Sequence, residues 1–279
     1  MLILIAGCTI EEYPATQKLP SPKNLRLSSA NNGISVRLDW EAPDSGIPDG
    51  YIVYFKSIYD SLFRPIDTTA ALFDIVMPSG TTGYYYVRSY SFDLGVSDSS
   101  NVDSTVPVYT PPKDIYELDK EDFYHFYSAY GFDTTTGHGR TYPMKIPTYC
   151  ERIDFYMTDR DSGWGGPYSF VSPDAVYRFP YDSSQIHFRC DFKRTRFYLL
   201  TDWRQNTDKI LPDSTQISDI GVEVGTNDWV NARYVAFYTQ DGYYGLLKID
   251  PLSVDTVQGK VTFEAYFQKV RGLRLIRHR

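Results

Sequence analysis

Asp159 and Asp161 stand one residue apart ahead of Gly163, in TDRDSGWGGPYSF. Carboxylates at alternate positions of a tight turn offer hard oxygen donors to Ca²⁺. The rest of a calcium loop is missing, and the simpler reading is a plain glycine turn. Trp164 follows directly, flanked by Gly163 and Gly165, with no strand neighbours to pack on. Trp203 in TDWRQN and Trp229 in TNDWVN also stand among polar residues. Aromatic rings stack on the apolar faces of sugars while Asn and Asp fix hydroxyls, so three such tryptophans suit a carbohydrate platform. The alternative is that they cap the ends of a β-sandwich.

Catalytic patterns are scarce. His125, His138, His187 and His278 are dispersed without metal-ligand spacing. His138 lies in the turn-like TTTGHGR and reads as solvated, and His187 alternates with Phe188 as a strand residue would. No GxSxG elbow, ordered Ser-His-Asp set or glycine-rich phosphate cradle is present. Carboxylates are plentiful, but a glycosidase pair is defined by separation in space. No CxxC or Cys/His spacing suggests zinc. The expectation is a protein that is not an enzyme and needs no cofactor, Ca²⁺ being the one ion worth testing.

These residues must be held by strands. The 279-residue chain has 25 Tyr and 16 Phe against 4 Met, with frequent Gly, Pro and Asp turns, a composition that favours β structure. A formal net charge of −7 argues against partnership with nucleic acid or anionic lipid heads. No run of about 18 apolar residues is present to span a membrane as a helix.

From Leu19 to about Pro107, period-2 runs are separated by turn signals at the spacing of a β-sandwich. GISVRLDWEAP places Val36, Leu38 and Trp40 on one face and Arg37 and Asp39 on the other. GYIVYF follows as a central strand, LFDIVMPSG alternates Phe73, Ile75 and Met77, and YYYVRSYSFDLGVSDSS closes the set. In this order the motifs resemble a fibronectin type III domain. The resemblance implies that Trp40 fills the core and that Tyr84 or Tyr85 is a corner tyrosine bonded to the backbone. It also implies a spacer or adhesive role.

VYTPPKDIYELDKED interrupts the pattern with paired prolines and charges, and reads as a linker over 108–118. Residues 119–279 then carry ERIDFYMTD, HFRCDFK, RFYLLTDW, YVAFYTQDGYYGLLKI and GKVTFEAYFQKV. Asp241-Gly242 between two apolar runs marks a hairpin. Val261, Phe263, Ala265 and Phe267 share one face. The predicted fold is therefore all-β, a fibronectin-like sandwich over 21–107 followed by a second antiparallel sandwich or jelly-roll-like domain.

Ile5-Ala6-Gly7-Cys8 resembles a bacterial lipoprotein signal, an aliphatic residue and two small ones before Cys. The resemblance implies export, cleavage before Cys8 and lipid on its sulfur, with residues 1–7 as signal and 8–20 as a polar tether. The apolar run is shorter than the roughly 7–15 residues of an export signal and no Lys or Arg precedes it, so the sequence is expected to continue upstream. With Cys8 lipidated, Cys150 and Cys190 remain as an even pair in an exported chain. They fit either one disulfide closing a loop of about 40 residues, worth about 3–4 kcal/mol, or two buried thiols. The expected protein is a non-enzymatic, lipid-anchored component of the bacterial cell envelope, on the outer or cytoplasmic membrane and facing periplasm or exterior. Its C-terminal domain would bind a protein or a polysaccharide.

Overall fold

The computed structural model describes residues 18–122, 124–159, 167–200, 210–225 and 231–276. Among these, the chain is all-β, in two antiparallel sandwiches. No helix among them is long and apolar enough to cross a membrane.

The first unit contains β1 (Lys23–Ala30), β2 (Ser35–Glu41), β3 (Gly50–Ser57) and β4 (Arg64–Thr69). It continues with β5 (Phe73–Val76), β6 (Gly83–Ser91), β7 (Gly95–Val96) and β8 (Asp103–Ser104). One sheet runs β1-β2-β5, and the other runs β4-β3-β6-β7 with β8 also on β6. The alternation of β2 turns Val36, Leu38 and Trp40 inward, where Trp40 meets Tyr51 edge-on at 5.5 Å between ring centres. On β5 the alternation buries Val76 and turns Phe73 and Ile75 to the solvent face, with Met77 exposed just past the strand. Tyr85 takes the buried corner position against Phe55, at 4.8 Å. Its hydroxyl makes no backbone hydrogen bond among the described residues, unlike the corner the resemblance implied.

The second unit begins earlier than the sequence suggested. Residues 108–118 were read as a linker, yet Val108–Tyr116 forms β9, paired with the last strand from Val108↔Phe267 to Tyr116↔Lys260. The register breaks opposite Pro111 and Pro112, between Phe263 and Ala265. Prolines that lack an N–H are tolerated at such a bulge on an outer strand, so the residues that looked like a break mark an edge.

The remaining strands are β10 (Ala129–Phe132), β11 (Gly139–Tyr142), β12 (Phe155–Thr158), β13 (Tyr168–Val171) and β14 (Thr195–Leu200). They are followed by β15 (Gly221–Gly225), β16 (Arg233–Thr239), β17 (Tyr244–Ile249), β18 (Val254–Asp255) and β19 (Lys260–Phe267). One sheet has the order β11-β10-β12-β13-β15; the other has β14-β16-β17-β19-β18, with β9 on β19. Between them lies an aromatic core that includes Tyr130, Phe155, Phe170, Phe237, Phe263 and Phe267. The outer face of the first sheet is also covered. Ala129, Tyr156 and Val171 pack against Met144, Ile153, Val176 and Phe192 from turns, and Asp182 of the short helix α1 (Pro180–Gln185) accepts the Tyr156 hydroxyl at 2.8 Å. HFRCDFK, expected as a strand, is irregular from His187 to Lys193 and forms part of this cover.

The two units are joined by more than one crossing of the chain. After β19 the tail returns to the first sandwich, placing Val270, Leu273 and Leu275 in the cluster that holds Trp40 and Tyr85. Gln268 Nε2 donates to the carbonyls of Thr105 and Leu275 at 2.9 and 2.7 Å, and the Arg274 N–H donates to Gly33 at 2.9 Å. The fibronectin-like unit is docked, not tethered.

Candidate functional site

Where the strands of the second sandwich end, the two sheets leave an open cleft of about 800 Å³, within the roughly 300–1,000 Å³ of ligand sites. Each wall has a local cause. Asp133 ends β10 in a turn, its carboxylate accepting the N–H groups of Thr135 and Thr136 at 2.8 and 3.1 Å. Those bonds, with the charge of Arg140, hold the Asp133 carboxyl below its ordinary range. The β10–β11 hairpin then presents Arg140 and Tyr142. The 3-10 turn Pro147–Arg152 presents Glu151 and Arg152, and Cys150 within it is disulfide-bonded to Cys190. That bond fixes the turn to the segment that delivers Lys193. The β16–β17 hairpin supplies Gln240, Asp241 and Tyr243, and the tail supplies Arg271.

Gly242 makes the last pair compatible. Its φ is +88°, and a Cβ there would lie 2.8 Å from Arg271 Nε. Glycine both permits the turn and leaves room for the guanidinium.

Beneath the floor lies an ionic trio. Lys193 Nζ is 2.7 Å from Asp241 Oδ2 and 3.9 Å from Asp154 Oδ1. Asp154 is buried and accepts the Phe132 N–H at 2.7 Å. Burial pushes its carboxyl up to about 6, against the opposing pull of Lys193 and the Phe132 N–H. Burial also works against the Lys193 ammonium, but Asp154 and Asp241 outweigh it and keep it charged. The trio is a strut joining β10, the Lys193 segment and the β16–β17 hairpin.

Many residues singled out from sequence are not among those the structure describes. Cys8, Asp161, Trp164, Trp203, Trp229 and His278 lie outside the described residues. Asp159 ends β12 and is buried, and among the described residues no three His, Cys, Asp or Glu side chains are grouped to hold a metal. His125 is exposed, 3.5 Å from Asp122, and His138 and His187 are exposed as well, His187 in a loop and not in a strand. Among the described residues, those of the chosen set that help to build the cleft are Cys150 and Cys190. Its arginines were missed, because Arg140 and Arg152 are far apart in sequence from Lys193 and Arg271. The Asp241-Gly242 turn was the visible signal.

No protein-family model matches the chain, and no curated protein does. Solved structures with some similarity carry fibronectin type III modules. One is the fibronectin type III domain of human fibronectin type III domain containing protein 3, 22% identical, covering 33% of this chain and 89% of that one with a TM-score of 0.28. Another is an Fn3-like protein from Clostridium thermocellum, 18% identical, covering 31% and 92% with a TM-score of 0.27. The twitchin kinase region from C. elegans is 12% identical over 31% of this chain, with a TM-score of 0.28, and is matched over only 16% of its own length. The all-β assignment rests on the strands themselves.

Proposed function

We propose that this is a non-enzymatic binding protein of the bacterial cell envelope whose ligand surface is the cleft of the second sandwich. The supporting observation is the cleft itself, a wide polar groove built from five separate chain segments and braced by Asp154, Lys193 and Asp241. Binding is favoured over hydrolysis because three of the four carboxylates at the cleft are already engaged, which leaves Glu151 without a second free carboxylate to work with. Asp133 holds its own turn, Asp241 is bonded to Lys193, and Asp154 is sealed from solvent. A carbohydrate ligand is the reading we favour. The rings of Tyr142 and Tyr243 border the groove, braced on Tyr149 and Phe267 at 5.6 and 5.3 Å, beside the polar side chains that sugar hydroxyls need. In this proposal the first sandwich orients the second on a lipid anchor at Cys8.

Calorimetric titration of the chain with neutral and acidic oligosaccharides tests the ligand class. Saturable binding lost in Tyr243→Ala is expected, and no binding across the panel would contradict the carbohydrate reading. The anchor is tested separately by Cys8→Ala in the native gene with membrane fractionation. A variant that stays in the membrane fraction would rule the lipid out.

A further inference from the structure

We infer that the cleft takes an acidic saccharide, with the guanidinium groups of Arg140, Arg152 and Arg271 holding its carboxylate or sulfate oxygens. The inference rests on the cleft being the ligand site and names the class of ligand.

Some charges of the cleft are already paired and others are not. Lys193 is paired with Asp241 and Asp154, and Asp133 accepts the N–H groups of its own turn while keeping a negative charge that Arg140 also favours. Arg140, Arg152 and Arg271 line the same cleft, and none of their guanidinium groups makes a hydrogen bond or a close ion pair among the described residues, Arg140 acting on Asp133 only through its charge. Glu151 is the single carboxylate of the lining left in the same condition. The lining as a whole carries four positive charges, from Arg140, Arg152, Lys193 and Arg271, against three negative ones, from Asp133, Glu151 and Asp241, a small positive excess in a chain whose formal net charge is −7.

The arginines come from β11, from the 3-10 turn and from the tail, so no local sequence feature brings them together. Guanidinium is the side chain suited to planar, bidentate recognition of carboxylates and oxyanions. Three of them around one groove fit a ligand with several separated anionic groups better than a single small anion. Gln240 adds a donor, since its Oε1 already accepts the Arg194 N–H at 2.8 Å and its Nε2 makes no bond among the described residues. The tyrosine rings offer flat surfaces between the charged points. Repeated anionic groups, hydroxyls and flat apolar faces together describe an oligosaccharide of uronic acids or sulfated sugars.

The test uses the full chain and four probes: a uronic-acid tetrasaccharide, a sulfated tetrasaccharide, a neutral glucose tetrasaccharide and inorganic phosphate. Acidic tetrasaccharides are expected to bind with an affinity that falls as salt rises, and the neutral one is expected to bind far more weakly. Arg152→Ala and Arg271→Ala, both at exposed positions that leave the cores intact, should each weaken binding roughly ten- to a hundredfold. Binding of only the carboxylated or only the sulfated probe supports the inference and names the group recognised. Equal binding of neutral and acidic probes, lost in Tyr243→Ala, would overturn the acidic class while leaving the cleft as a sugar site. Phosphate binding as tightly as the tetrasaccharides would reduce it to a small-anion site. Failure of every probe would overturn both this inference and the carbohydrate reading beneath it.

Discussion

The two sandwiches are closed in different ways. In the first, three of the twelve buried residues of the main core cluster, Val270, Leu273 and Leu275, come from the C-terminal tail. Its edge strands β4 and β5 leave Ile66, Ile75 and Met77 in solvent. The second contains its own aromatic core, has the outer face of its β10 sheet covered, and carries the disulfide. Rigidity is concentrated where the cleft lies. Charged groups from five segments held in register need such support, whereas the first unit is completed by residues of the tail.

The largest effect that would sharpen this contrast is loss of the disulfide. Cys150→Ser with Cys190→Ser releases a loop of 40 residues and is expected to cost about 4 kcal/mol in urea unfolding. It should also weaken ligand binding, because Arg152 and Lys193 flank the bridge. Leu273→Ala should cost about 3 kcal/mol by opening a cavity in the first core. Hydrogen exchange should then rise in β2 and β3 more than in β16 and β17, and a uniform rise would break the distinction between the units.

Asp154 gives a pH signature confined to the second unit. Its folded value of about 6 stands above the roughly 3.9 of an unfolded Asp, so between about pH 4 and 6 the folded chain holds a proton that the unfolded chain has lost. Stability should therefore fall as pH rises through that window, by up to about 3 kcal/mol, and level off above it. Asp154→Asn should flatten this part of the profile, and an unchanged profile in the variant would place the titration elsewhere. Gly242→Ala is expected to have the smallest effect on stability, about 1–2 kcal/mol from its positive φ. It should displace Arg271 and weaken acidic ligands measurably.

What the sequence made legible follows the same division. Period-2 runs disclosed the strands that have one solvent face, such as β2 with Val36, Leu38 and Trp40 inward, and the Asp241-Gly242 turn disclosed the β16–β17 hairpin. The linker reading failed at Pro111 and Pro112 because a bulged edge strand and a chain break use the same residues. The tail was not foreseen because the alternation in RGLRLI is only three residues long, and its Leu273 and Leu275 are buried by a unit distant in sequence. The cleft was hidden for a related reason. Its arginines are single residues on separate elements, assembled only by the register of two sheets and one disulfide.

Hydrogen exchange of the full chain with and without a uronic-acid tetrasaccharide tests the central claim most directly. The account predicts slowed exchange at residues 131–142, 150–154 and 240–243, with the first sandwich unchanged. Slowing confined to β4 and β5 of the first sandwich, or none at all at saturating probe, would contradict it.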